Sequence, residues 1–332
     1  MNHTMKRTLT ELPLLRASLL GAVLLIASVA LTTGTGAAAA DAPATKSAAA
    51  KTPAAKAYVS PEELFQALVD AAKVDNTKAL AAMLGPSGTA LINSGDKVAD
   101  SKGRARFAEL YAEKHSITKD GDAKATLVVG NEDWPMPIPA VKGAKGWTLD
   151  TAAGAREILA RRIGRNELAA IQVVGAIVDA QHDYASEDRD ANGLPNYARK
   201  IISSPGRRDG LYWPTSQGEA PSPLGDLVAQ ASSEGYGAKK GAPIPYHGYY
   251  YRILSKQGKD AKGGAMSYII QNMMIGGFGV VAYPAQYGNS GVMTFMAGAD
   301  GVVYEKDLGD KTSAIARGID TYNPDSSWKA VK

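Results

Sequence analysis

The stretch Ile158-Leu159-Ala160-Arg161-Arg162-Ile163-Gly164-Arg165-Asn166-Glu167-Leu168-Ala169-Ala170-Ile171-Gln172-Val173-Val174-Gly175-Ala176-Ile177-Val178 decides the fold. Its apolar residues recur three and four apart, the spacing that places them on one face of an α-helix. Ile158, Leu159 and Ile163 form one stripe. Leu168, Ile171, Val174, Ile177 and Val178 form the next. Gly164 lies between the two stripes. A glycine inside a helix costs about 1 kcal/mol relative to alanine, so a kink or break is expected there, with the main helix running from about Asn166 to Ala185.

Downstream the period changes from helical to alternating. Strands are expected at His247–Leu254, Ala265–Gln271, Phe278–Tyr283, Gly291–Met296 and Val302–Lys306, with glycine-bearing turns between them. A short helix before them starts at Ser222-Pro223 and closes at Gly235. One long helix laid on an antiparallel sheet buries the apolar faces of both.

Upstream, Ser60-Pro61-Glu62-Glu63 combines an N-cap serine, a proline at the first helical position and a capping-box glutamate. A second helix is expected from Thr77 to Leu84, ended by Gly85-Pro86, and a third from about Ser101 to His115. Strands at Thr126–Val129 and Trp147–Leu149 flank Trp134-Pro135-Met136-Pro137-Ile138-Pro139, whose prolines keep it extended and short of donors. The expected fold class is therefore α+β. A small helical and antiparallel-sheet domain (58–150) precedes a helix-plus-sheet domain (151–332). The element order of the first is similar to cone-shaped folds of the nuclear-transport-factor-2 kind.

The ends of the chain speak to location. Lys6, Arg7 and Arg16 precede an uncharged apolar run from Ala17 to Leu31, and small residues lead to Ala40-Asp41. This is the layout of a cleaved secretory leader, residues 1–40. Residues 41–57 hold almost no apolar bulk and read as a disordered tether. A periplasmic or secreted protein with no membrane span after leader cleavage is expected. The match of Thr8–Leu12 to a prepilin helix start is read as coincidence, because Lys6-Arg7, Pro13 and Arg16 oppose it.

The 332 residues include no cysteine, which excludes disulfides, thiol catalysis, iron–sulfur clusters and cysteine zinc sites. The formal net charge of +4 is spread thinly, so nucleic acid is not an expected partner.

Several patterns hold candidate chemistry. Asp188, Asp190 and Asn192, followed by Gly193, match the first half of a calcium loop, but Arg199 stands where a bidentate glutamate belongs. A weak calcium site and a plain polar turn are both open readings, and no other cofactor is expected. Of 15 tyrosines, 13 fall from Tyr184 onward, so any aromatic recognition surface belongs to the second domain. Tyr212, Trp213, Tyr249 and Tyr251 are its candidates for contact with an envelope protein or polysaccharide, against the reading that they are ordinary strand residues. His247 is a candidate catalytic base, with Ser222 and Asp209 as possible partners, although no nucleophile-elbow motif supports a hydrolase. Arg161, Arg162 and Arg165 read either as an anion site or as solvated residues pairing with Glu157 and Glu167.

Together, Arg162–Leu168, Asp209–Pro214, Ser222–Gly225, Gly276–Gly279 through Ala282-Tyr283-Pro284, Gly291–Phe295 and Val303–Gly309 resemble a bacterial envelope family known as domain of unknown function 2950. The likeness runs from about Ser60 to Trp328. It implies a secreted bacterial protein and carries no known reaction. More weakly, the helix ending at Tyr184 and the glycine-punctuated sheet are similar to pseudopilin heads. The expectation is a non-enzymatic binding or interaction protein of the envelope, with a hydrolase centred on His247 as the alternative.

Overall fold

The computed structural model describes residues 56–237 and 243–331. The expected leader, and the expected tether up to residue 55, lie outside the described residues.

The first helices form where the cap residues require them. In α1 (Pro61–Lys73) the Ser60 hydroxyl accepts the Glu63 N–H, and Leu64, Phe65 and Leu68 are buried. Asn76 caps α2 (Thr77–Leu84), which ends at Gly85 with φ +67°. A single helical turn, α3 (Thr89–Ile92), follows, and then α4 (Lys97–Glu113). The third expected helix thus starts four residues earlier than its periodicity suggests, because Asp96 supplies the cap.

The chain then turns back through an antiparallel sheet. Its strands are β1 (His115–Asp120), β2 (Lys124–Val129), β3 (Trp134–Pro135), β4 (Ala140–Gly143) and β5 (Gly146–Leu149). The order is β1-β2-β4-β5, with β3 against the far end of β2. Alternate residues of β2, Ala125, Leu127 and Val129, point into a core shared with α1 and α2.

Next comes α5 (Thr151–Tyr184), capped by Asp150. It runs unbroken through Gly164, which corrects the expected break. Both ends of the helix are fixed by packing, and this outweighs one unfavourable residue. Near its start Gly154 crosses Pro137 so closely that a Cβ would lie 2.3 Å from the proline carbonyl oxygen. Beyond Gly164, Ala170, Val174, Ile177 and Val178 are buried in a second core.

A parallel pair, β6 (Lys200–Ile202) and β7 (Gly210–Tyr212), and α6 (Gly225–Ser233) lead to β8 (Tyr249–Leu254). Four two-residue strands follow: β9 (Lys256–Gln257), β10 (Met266–Ser267), β11 (Ile269–Ile270) and β12 (Met273–Met274). The expected strand at 265–271 is thus two short pieces. Then come β13 (Gly279–Pro284), β14 (Met293–Gly298), β15 (Val303–Asp307), α7 (Thr312–Gly318), β16 (Thr321–Tyr322) and β17 (Lys329–Ala330). The main sheet is antiparallel in the order β17-β15-β14-β13-β8. Every residue of β13 is buried, since α5 and α7 both pack against that strand. The protein is therefore mixed α+β. Among the described residues no helix is long and apolar enough to cross a membrane.

Polar contacts tie these elements across residue 150. The buried Asp96 carboxylate accepts from Ala99 N (3.0 Å), from the Tyr236 hydroxyl (2.9 Å) and from Gly248 N (2.8 Å). Asp96→Ala removes a cap, worth about 1 kcal/mol, and strands buried donors at about 1–3 kcal/mol. It should lower the melting temperature by several degrees in calorimetry. Gly164→Ala should do the reverse. A Cβ there meets nothing within 4 Å, so the variant should gain about 0.5–1 kcal/mol in denaturant titration.

Candidate functional site

A cleft of about 1320 Å³ opens between the first core and the N-terminal half of α5. Its floor is apolar, including Leu68, Leu80, Phe107, Leu110, Met136 and Ile138. Its wall is α5, whose residues Ile158, Arg161, Arg162, Arg165, Leu168 and Ala169 fall three and four apart on the side facing that floor. Leu168 is 65% exposed there.

The three arginines behave differently. Arg161 pairs with Glu157 one turn away and lies over the Trp134 ring, 5.4 Å from its centroid. Arg162 donates to Ala90 O (2.7 Å), Leu91 O (2.6 Å) and Asn289 Oδ1 (2.6 Å), all neutral acceptors. The first two belong to α3, whose last carbonyls lack helical partners. Arg104 takes the Ile92 carbonyl at 2.9 Å and Asn289 Nδ2 takes the Asn93 carbonyl at 2.8 Å. Arg165 has no ion-pair partner among the described residues. Glu167, expected to pair with these arginines, instead accepts Val292 N (2.9 Å) and Met293 N (3.0 Å). Asp100 also lines the cleft. Burial raises its pKa, opposed by the Ser94 N–H at 2.9 Å and by the Arg162 and Arg104 charges.

His247 stands at the cleft's edge. It and Gly248 have φ of +49° and +76°, the sign pattern of a tight type I′ hairpin turn joining Tyr246 to Tyr249. Glycine is required at 248, because a Cβ would lie 2.6 Å from Asn166 Nδ2. Histidine at 247 is strained, asparagine being the usual residue in such a position. The ring packs against Tyr246 and Tyr236, centroids 4.0 and 6.2 Å away, and its Nε2 is 3.8 Å from Glu234 Oε2. That separation exceeds a hydrogen bond. Burial lowers the His247 pKa, assisted by Lys102 and opposed by Glu234 and Asp96. The adjacent Tyr246 hydroxyl is buried without a hydrogen-bond partner, and burial pushes its pKa up to about 12.

The other candidates lie apart from the cleft. Burial opposes ionisation of Asp209, but hydrogen bonds from Lys200 and Ser204 outweigh it and hold its pKa at about 2. The Ser222 hydroxyl is buried and unpartnered. Neither residue bonds to His247. Trp213 and Tyr249 are buried in the second core, where the Tyr249 hydroxyl donates to Met293 O. Tyr212 and Tyr251 pack against the same core. Packing in and against the second core therefore engages all four rings. In the loop after α5, Asp188 accepts Asn192 N (3.0 Å) and Gly193 N (2.9 Å), Asn192 accepts Leu194 N, and Asp190 accepts from Asn196. These oxygens serve the turn itself. Among the described residues no group of three or more histidines and carboxylates is placed to hold a metal.

Sequence reasoning missed Asp96, Arg104, Asn289, Glu234 and Tyr236. Only Asp96 carried a local signal, since Asn93-Ser94-Gly95-Asp96 is a cluster of turn and cap residues.

The family model described as protein of unknown function (DUF2950) matches residues 55–331, and the chain belongs to that family. No curated protein matches the chain, and no solved structure does.

The His247 geometry fixes a pH effect. The folded pKa lies below the ordinary 6.5, so the unfolded chain takes the proton first as pH falls. The stability associated with neutral His247 is then lost below about pH 6.5. His247→Asn suits the turn and removes the titration. Its melting temperature should match or exceed wild type at pH 7.5 and fall less between pH 7.5 and 5.

Proposed function

We propose that this DUF2950 protein is an exported, non-enzymatic binding protein of the bacterial envelope that holds an apolar ligand in the cleft beside α5. One observation carries the reading: a space of about 1320 Å³ with an apolar floor and a polar, cationic wall. Binding sites for small molecules are typically concave and mostly apolar, with a few placed polar groups, in spaces of about 300–1,000 Å³. Export rests on the basic, apolar and small-residue succession of residues 1–40. The assignment to the periplasm or to secretion rests on the same residues.

The alternative, a hydrolase centred on His247, has one observation in its favour. A half-buried imidazole of lowered pKa is held at the cleft edge by a strained turn. It lacks a positioned nucleophile, since Ser222 and Asp209 are engaged or enclosed elsewhere.

Titration with the neutral fluorophore Nile red tests the binding reading. Saturable binding is expected. Leu168→Glu places a charge on the exposed apolar wall and should weaken binding by about tenfold, the worth of roughly half a buried leucine, with the melting temperature unchanged. Equal affinity for both proteins would exclude the cleft as the binding site.

A further inference from the structure

The ligand expected in the cleft has a chemical sign. Three of the four carboxylates along the cleft are occupied: Glu113 pairs with Arg106, Glu234 faces Lys102 and His247, and Asp100 accepts the Ser94 N–H, while the exposed Glu132 has no ion-pair partner among the described residues. Of the α5 guanidinium groups, Arg161 pairs with Glu157. Arg162 donates only to carbonyl and amide oxygens, and the Asp100 carboxylate offsets part of its charge. Arg165, one turn further along the wall, has no carboxylate partner among the described residues. The two arginines repel one another, and Arg161 repels Arg165. Beside them Leu168 offers exposed apolar surface, and the apolar floor lies opposite.

We infer that the cleft takes a single-chain amphiphile with a carboxylate head, its chain on the floor at Phe107, Leu110 and Ile138 and its head at the Arg165 guanidinium on α5. The inference rests on the cleft being the binding site. A carboxylate accepts two parallel N–H bonds from a guanidinium, a geometry that an alcohol cannot reproduce. Such charge-assisted bonds are roughly twice as strong as neutral ones. A cationic amphiphile of the same chain length would add to the repulsion already present on the wall.

Displacement of Nile red from the full-length mature protein tests this, with hexadecanoate, hexadecanol and hexadecyltrimethylammonium as competitors below their aggregation thresholds. Hexadecanoate should displace the dye at about tenfold lower concentration than hexadecanol, with the ammonium weakest. Arg165→Gln, at an exposed position, should abolish that preference, read as the ratio of hexadecanoate to hexadecanol displacement within the variant, with the melting temperature unchanged. Arg165→Lys should retain part of it. Equal displacement by hexadecanoate and hexadecanol, or a preference that survives in Arg165→Gln, overturns the carboxylate assignment and leaves the cleft reading standing. Failure of Nile red to bind saturably removes the cleft reading, and the inference with it.

Discussion

One buried carboxylate organises the approach to the cleft. Asp96 begins α4, and its oxygens hold the Tyr236 hydroxyl and the Gly248 amide from segments some 140 and 152 residues away. A carboxylate taken out of water is tolerated only where hydrogen bonds replace its hydration. Here three donors do so, and each comes from a different place in the chain. The requirement fixes the start of α4 against the 246–249 hairpin turn. That turn in turn needs Gly248, because Asn166 on α5 occupies the space of a side chain. Helix, turn and cleft edge are thus set by one demand for solvation.

The second constraint is the end of α3. A helix of one turn leaves most of its carbonyls without internal partners; in α3 only Thr89 O has one, the Asn93 N–H at 3.2 Å. Arg162, Arg104 and Asn289 supply donors to successive carbonyls from Ala90 to Asn93, reaching from α5, α4 and the loop before β14. These bonds hold α5 beside the first core without closing the space between them. Two cores lie along one helix, with Ile158 packed on the first and Ala170 onward in the second. The uninterrupted helix spans from one to the other through Gly164.

Local rules made much of this legible. Ser60, Asn76, Asp96 and Asp150 each reach the backbone N–H three positions on and cap helices, although sequence reasoning identified only Ser60 as a cap. Strand alternation identified β2, β8, β13, β14 and β15 within a few residues. The one-turn helix α3 and strand β1 escaped, because neither contains a full period of apolar residues. The site was legible only in composition. Arg161, Arg162 and Arg165 can be read as a cationic group, but whether they meet carboxylates, carbonyls or nothing depends in part on residues 71 to 127 positions away. The aromatic residues were ambiguous for a related reason. Tyr249 and Trp213 belong to types that suit both cores and ligands, and the second core takes them. Asp188 and Asn192 likewise suit a cation or an Asx turn, and their oxygens are bonded to their own loop.

Departures from local rules occur in several parts of the protein, and some lie beside the cleft. His247 occupies a left-handed backbone conformation that favours asparagine or glycine. The Tyr246 hydroxyl is buried without a partner. Arg162 donates its hydrogen bonds only to neutral oxygens, and Leu168 exposes most of its surface on the same helix. Each departure costs stability, by strain, by lost hydration or by apolar exposure. Sequences that fold well satisfy such rules nearly everywhere and break them mainly where a site demands it. Comparable departures occur elsewhere: among the described residues Asp75, Asp133, Ala191, Gln271 and Asn272 also have positive φ, and the buried hydroxyls of Thr151, Ser222 and Thr294 have no hydrogen-bond partner. The cleft is therefore set apart by its size and its arginine-bearing wall rather than by these departures.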